Sequence, residues 1–258
     1  MPPATAGSHP ALLSLEEVTL RGRSQPRLDR VCLQLSAGER VALIGPSGAG
    51  KSSLLAVANG QLTPDQGLVH WQGEVQARRG SRRRRRQQAR IGTLWQELRL
   101  IEELSVQQNI NAAQLAHWGW PRALLNLLLP LDTAVCASLL KRLDLDPALL
   151  SQPVSALSGG QRQRVALARL LRQEPLLLLA DEPLASLDPR LAHALLTLLL
   201  QEAREPRALL LSLHRPDLLM HFQRVVGLRA GRVLFDLPSA DVKAEQLQEL
   251  YSGTESRP

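Results

Sequence analysis

The chain has 258 residues, 44% of them hydrophobic and 21% charged, with a net charge of +7. Two cysteines, Cys32 and Cys136, exclude a disulfide framework and favour a reducing compartment, and no apolar run approaches the ~18 to 20 residues that cross a bilayer. The basic balance suits nucleic acid or anionic lipid as a partner, although 3% aromatic content leaves little for base stacking.

Residues 1–11 have neither a basic n-region nor a long apolar stretch, and read as a disordered tail, not a signal peptide. "LSLEEVTL" (13–20), "VCLQL" (31–35) and "RVALIG" (40–45) predict strands, with "SAGE" a turn before the third. "LLAVANG" after residue 53 has helical propensity and a Gly stop, and β signal returns in "GLVHWQGEVQ" (67–76) and "IGTLWQ" (91–96). Between them "RRGSRRRRRQQAR" (78–90) places eight arginines in thirteen residues. Its Gly, Ser and Gln predict an exposed loop between two strands, and contact with anionic lipid headgroups is its functional alternative.

From 97 to 172 the pattern is Leu/Ala/Gln-rich and helical, interrupted at Pro121, Pro130, Pro147 and Pro153. Strand and helix then alternate: "LLLLAD", "LAHALLTLLLQEAR", "ALLLSLH", "RVVGLRAGRVLFD" and a last helix "AEQLQELYS". Continuously apolar strands in such alternation predict an α/β fold with a mainly parallel sheet covered on both faces. There is no internal repeat and no heptad run.

Three stretches carry chemistry. "GPSGAGKS" (45–52) matches G-x-x-x-x-G-K-[ST] after an apolar strand and at the mouth of a helix. Gly45, Gly48 and Gly50 let backbone N–H groups turn toward phosphates, Lys51 neutralises them, and the Ser52 hydroxyl suits Mg²⁺. "LLLLADEP" (176–183) is a buried-strand pattern ending in two carboxylates: Asp181 can reach the Mg²⁺ shell, and Glu182 can polarise an attacking water. "SGGQ" (158–161) reads in part as a capping box from Ser158 to Gln161. Capping does not require two glycines, so Gly159 and Gly160 point to a second anion site, for a nucleotide other than the one held at 45–52.

Phosphate loop, Gln96 in "LWQE", "LSGGQ", "LLLLADEP", "SLD" (186–188) and His214 in "SLHRPD" follow in an order and spacing that resembles the ATP-binding subunits of ABC transporters, over roughly residues 12–252. The resemblance implies a P-loop NTPase core (12–96 and 174–252) with an N-terminal antiparallel β part, an inserted helical signature subdomain (97–173) and a tail at 253–258. It implies that Gly45, Pro46, Ser47, Gly48, Ala49, Gly50, Lys51, Ser52 and Ser53 hold ATP. Ser158, Gly159, Gly160, Gln161 and Asp188 would reach the ATP of a second copy across a head-to-tail dimer. Glu182, His214 and Gln96 would serve catalysis, and Ser52, Gln96 and Asp181 would serve Mg²⁺. One departure stands out: no aromatic residue precedes Trp71, so an arginine, Arg21 or Arg23, is the candidate for stacking on adenine.

More narrowly, "IEELSVQQNI", "DEPLASLDP", "SLHRPDLLMHF", "VVGLRAGRVLFDLPSA" and the ending "ELY" resemble the phosphonate-import ATP-binding subunits. Transmembrane permease subunits are then the direct partners, a periplasmic binding protein an indirect one, nucleic acid none, and the cytoplasmic face of the bacterial inner membrane the place of work. Another ABC importer, an exporter or lipoprotein-release ATPase, and a nucleic-acid-associated ATPase are the alternatives.

Overall fold

The structure, a computed structural model, describes residues 11–77, 79–185 and 187–252. Alternation in the first segments builds an antiparallel sheet from β1 (Ala11–Leu20), β2 (Leu28–Ser36), β4 (Gln66–Trp71) and the short β5 (Glu74–Val75), in the order β2-β1-β4-β5. β3 (Arg40–Ile44) leaves this sheet and enters a six-stranded one with β6 (Ile91–Leu94), β7 (Leu177–Ala180), β8 (Ala208–Leu213), β9 (Arg224–Arg229) and β10 (Arg232–Pro238). The order is β10-β9-β3-β8-β7-β6, parallel throughout except for the β9–β10 hairpin. Helices are α1 (Lys51–Ala58), α2 (Arg82–Gln88), α3 (Val106–Asn111), α4 (Trp120–Leu128), α5 (Thr133–Arg142), α6 (Gly159–Arg172), α7 (Pro189–Glu202) and α8 (Ala244–Tyr251).

The central sheet explains the unbroken apolar runs. Along β3, Val41 and Leu43 face the antiparallel sheet and α1, while Ala42 and Ile44 face the helices on the other side. β7 divides in the same way, Leu177 and Leu179 against Leu178 and Ala180. Both faces are dry, so period-two alternation leaves no polar position to show in the sequence. The helices of 97–173 have no separate core: Val106, Ile110, Cys136 and Leu140 share one cluster with Ile44, Leu178 and Leu211.

Two expectations are corrected. Ala11 is not tail, since it pairs with Ser36 in β1; residues 1–10, like 253–258, lie outside the described residues. The arginine run is not a loop either. Ser81 caps it through an N–H bond from Arg84 (3.1 Å), and α2 follows. Arg84 is buried, donating to the carbonyls of Gly60 (2.6 Å) and Ala77 (3.1 Å) with its guanidinium 5.0 Å from the Trp71 ring centre. Trp71 in turn donates its indole N–H to Ala58 O (2.8 Å), so one arginine of the run ties α2 to the end of α1. Among the described residues no single helix is long and apolar enough to cross a membrane.

Candidate functional site

Parallel strands bring their carboxyl ends to one edge of a sheet, which is where α/β proteins place ligand-binding loops. Here that edge collects the loop after β3 (Gly45–Gly50), the residues after β6 (Gln96), β7 (Asp181, Glu182) and the end of β8 (Ser212, His214).

The loop after β3 is wound tightly around neighbouring backbone. Gly50 has a left-handed φ of 107°, and a Cβ there would collide with the carbonyl oxygen of Arg27. At Gly45 a Cβ would meet the carbonyl of Leu228. Ser47, Gly48 and Ser52 are exposed, whereas Lys51 is buried at the first position of α1. Its ammonium donates to the carbonyls of Gly45 (2.8 Å) and Pro46 (3.2 Å) and stands 3.6 Å from Glu182 Oε1. Burial draws its pKa below the usual lysine value, while Glu182 and Asp181 pull the other way.

Opposite lie the two carboxylates. Asp181 is buried, and its backbone N–H bonds to Leu94 O (2.8 Å), which fixes the end of β7 beside β6. Ser212, fully buried in β8, donates its hydroxyl to Asp181 Oδ1 (2.9 Å) and accepts from the backbone N–H of Glu182 (2.8 Å). Glu182 has a φ of 48°, a left-handed conformation that costs a non-glycine residue ~1 to 3 kcal/mol and persists only where surroundings enforce it. Its Oε1 is also hydrogen-bonded to His214 Nε2. Lys51, Glu182 and His214 therefore converge on one oxygen, with Gln96 exposed at the end of the neighbouring strand.

The second glycine pair is elsewhere. Ser158 Oγ accepts from Gln161 N (3.3 Å) and Gln161 Oε1 accepts from Ser158 N (2.9 Å), the full capping box at the start of α6. Ser158 and Gly159 are exposed, and among the described residues nothing beyond Gly159's own turn of helix lies within 4 Å of where its Cβ would sit. Asp188 caps α7, accepting from Arg190 N (3.1 Å) and Leu191 N (3.0 Å). Ser186 of "SLD" lies outside the described residues.

Four residues that the motifs did not indicate join this machinery. Ser212 is one. Arg169 of α6 donates to the carbonyls of Leu98 and Arg99 (both 2.6 Å), clipping α6 to the segment that follows Gln96. Gln163 of α6 donates to the carbonyl of Pro183, just after Glu182. Tyr251, at the end of α8, has its phenol beside the Gly45 backbone and feels the Glu182 charge; burial pushes its pKa up. Of these only Ser212 carried a local sign, a lone hydroxyl in the leucine run of β8.

Residues 28–185 match the ABC transporter family. The chain belongs to that family. ATP binding and hydrolysis are the family's chemistry, and the fold agrees: cbiO1 from Clostridium perfringens, part of the ABC transporter complex cbiONQ, has a TM-score of 0.74 and 25% identity over 93% of each chain. A dimeric ABC cassette solved with ADP and Pi is similar too, with a TM-score of 0.71 and 26% identity over 88% of this chain and 98% of the other. Among curated ABC proteins, the phosphonates import ATP-binding protein PhnC of Pseudomonas fluorescens is 46% identical, covering 86% of this chain and 84% of its own. PhnC of Pseudomonas putida is 41% identical over 96% of this chain and 93% of its own. For an ABC ATPase the arrangement is chemically apt: a buried lysine for phosphate oxygens, a carboxylate held beside it for a water, and a histidine on that carboxylate.

Proposed function

We propose that the chain is the ATP-hydrolysing subunit of a membrane importer for phosphonate or a related phosphorus oxyanion, working as a pair of copies bound to permease subunits at the cytoplasmic face of the membrane. The observation that carries the substrate class is the 41% to 46% identity, over most of both chains, to phosphonate-import ATP-binding proteins.

The catalytic reading rests on geometry. The backbone N–H groups of residues 47–53, which run into the start of α1, cradle the phosphates, and Lys51 exchanges its contact with Glu182 for phosphate oxygens. Glu182 then accepts a proton from the attacking water, a contribution of ~10²- to 10⁴-fold, while His214 orients its carboxylate. Ser52, Asp181 and Gln96 offer only oxygen ligands, and Ser212 already positions one Asp181 oxygen. That donor set fits Mg²⁺, which takes few protein ligands and supplies charge neutralisation at the phosphates. Arg27, whose carbonyl lies against Gly50, follows Arg21 and Arg23 closely in the chain, and these two arginines are the candidates for stacking on adenine.

The pairing of copies rests on Gly159. The described residues leave the space around it open, so the missing side chain serves an approach from outside. Ser158, Gly159, Gly160, Gln161 and Asp188 then meet the ATP bound by the partner copy. The deciding experiment for the substrate is growth on a phosphonate as sole phosphorus source. A strain lacking the chain should fail to grow and recover with the wild type but not with Glu182→Gln; recovery with Glu182→Gln, or normal growth without the chain, refutes the assignment.

A further inference from the structure

Glu182 is held from three directions. Its backbone N–H donates to Ser212 Oγ (2.8 Å), its carboxylate meets Lys51 and His214, and the carbonyl of the next residue, Pro183, accepts from the side-chain amide of Gln163. Ser212 and His214 belong to β8 and its end, and Lys51 to the start of α1. Gln163 comes from α6, and among the described residues its amide makes the only hydrogen bond between α6 and residues 181–185.

Pro183 makes that bond a stiff one. It is buried, and its ring fixes φ, so a single torsion, its ψ, separates its carbonyl from the planar Glu182–Pro183 peptide. Leu184 follows in the buried cluster that also holds Val165 and Leu167 of α6. The other end of the link is the glycine pair. Gln163 lies ~7 Å beyond Ser158 along the helix axis, and the capping box between Ser158 and Gln161 makes the first turn of α6 one unit with the residues before it. The neighbouring side chains turn elsewhere: Arg162 donates to Leu157 O (3.0 Å) and pairs with Glu102, and Arg164 donates to Asp144 O (2.9 Å). The turn that carries Ser158 and Gly159 is therefore joined to the catalytic carboxylate of its own chain through one side chain.

We propose, on the reading that two copies enclose each ATP, that Gln163 is a positioning residue that sets Glu182 according to the state of its own chain's Ser158–Gln161 turn. A phosphate contact at Ser158 and Gly159 shifts α6 with its cap, and the Gln163 amide carries the shift to Pro183 and so to the Glu182 carboxylate. A chain then hydrolyses its own ATP at full rate only while its turn is engaged on the ATP of the partner copy, and turnover becomes sigmoidal in ATP.

Gln163→Met keeps the length of the side chain and removes its donor, whereas Gln163→Lys restores a donor. In the assembled transporter, phosphate release against ATP concentration should give the wild type a Hill coefficient above about 1.5, two sites allowing at most about 2. Gln163→Met should lower kcat about 10- to 100-fold and bring the coefficient to about 1, and Gln163→Lys should recover most of both. On the Glu182→Gln background, Gln163→Met should leave ATP affinity and the nucleotide-dependent dimer unchanged, which separates positioning from binding and folding. In mixed pairs with one Glu182→Gln copy, Gln163→Met should cut turnover when it is placed in the copy with intact Glu182 and not when placed in the other.

A nucleotide-dependent dimer together with wild-type kcat and Hill coefficient for Gln163→Met overturns the role of Gln163 and leaves the two-copy reading standing. Failure of Glu182→Gln itself to dimerise with ATP overturns that reading and the role of Gln163 with it. A wild-type coefficient of about 1, a lower kcat at an unchanged coefficient, or a loss that follows Gln163→Met in the Glu182→Gln copy equally refutes the coupling.

Discussion

Ser212→Ala removes one oxygen atom and two hydrogen bonds. The bond to Asp181 Oδ1 (2.9 Å) involves a charged acceptor and contributes about 1.5 to 3 kcal/mol; the Glu182 N–H it also serves (2.8 Å) would lose its partner at a cost of about 1 to 3 kcal/mol. That N–H bond holds Glu182 at a φ of 48°, so its loss releases a strained residue whose carboxylate must stay beside Lys51 and His214. We expect kcat for ATP hydrolysis to fall about 10- to 100-fold, about 1.4 to 2.7 kcal/mol in the barrier. The Lys51 contacts to Gly45 and Pro46 do not involve Ser212, so KM for ATP should stay within about threefold. Phosphate release against ATP concentration measures both, on the purified chain and on the assembled transporter. A kcat within about twofold of wild type would refute the positioning role of Ser212.

Other perturbations separate structure from chemistry. Arg84→Ala should destabilise the protein by about 2 to 4 kcal/mol in urea unfolding, since it strands the Gly60 and Ala77 carbonyls, whereas Arg82→Ala should lie within about 0.5 kcal/mol of wild type; equal effects would contradict the burial of one arginine among its neighbours. Arg169→Ala should spare ATP binding by the isolated chain but reduce ATPase activity in the assembled transporter by about tenfold, because α6 loses its clip to the segment after Gln96; full activity there would exclude a coupling role. Cys136 is buried, and burial raises its thiol pKa from 9.0 to about 11. The folded state therefore favours the neutral thiol: this contribution to stability is intact below pH 9 and is lost as pH rises through about 11. A thiol reagent at neutral pH should label exposed Cys32 alone until the protein is unfolded; rapid labelling of native Cys136 would contradict its burial.

What the sequence disclosed depended on how local the physics is. The phosphate loop, the DE pair and the caps at Ser158 and Asp188 are built from neighbours in the chain, so their residues appear together. The parallel sheet was legible for the same reason, as leucine runs with no polar face. Arg84 was not, because it is one of five consecutive arginines and only the positions of Trp71 and Gly60 select it. Ser212 and Asp181 are 31 residues apart, and Arg169 and Leu98 are 71 apart, distances at which no pattern signals a contact. Over 82–88 repeated arginine with flanking Gly and Ser reads as solvated chain, although the Ser81 cap that starts the helix is an equally local sign.

The central claim is that each ATP is enclosed by two copies, residues 45–53 of one and Ser158 to Gln161 of the other. Sedimentation of Glu182→Gln with and without Mg²⁺ and ATP tests it most directly, since hydrolysis no longer reopens the pair. The account predicts a monomer without nucleotide and a stable dimer with it, and a monomer in both conditions once Ser158→Arg is added, with ATP binding retained. A dimer that forms equally well in the Ser158→Arg background would contradict it.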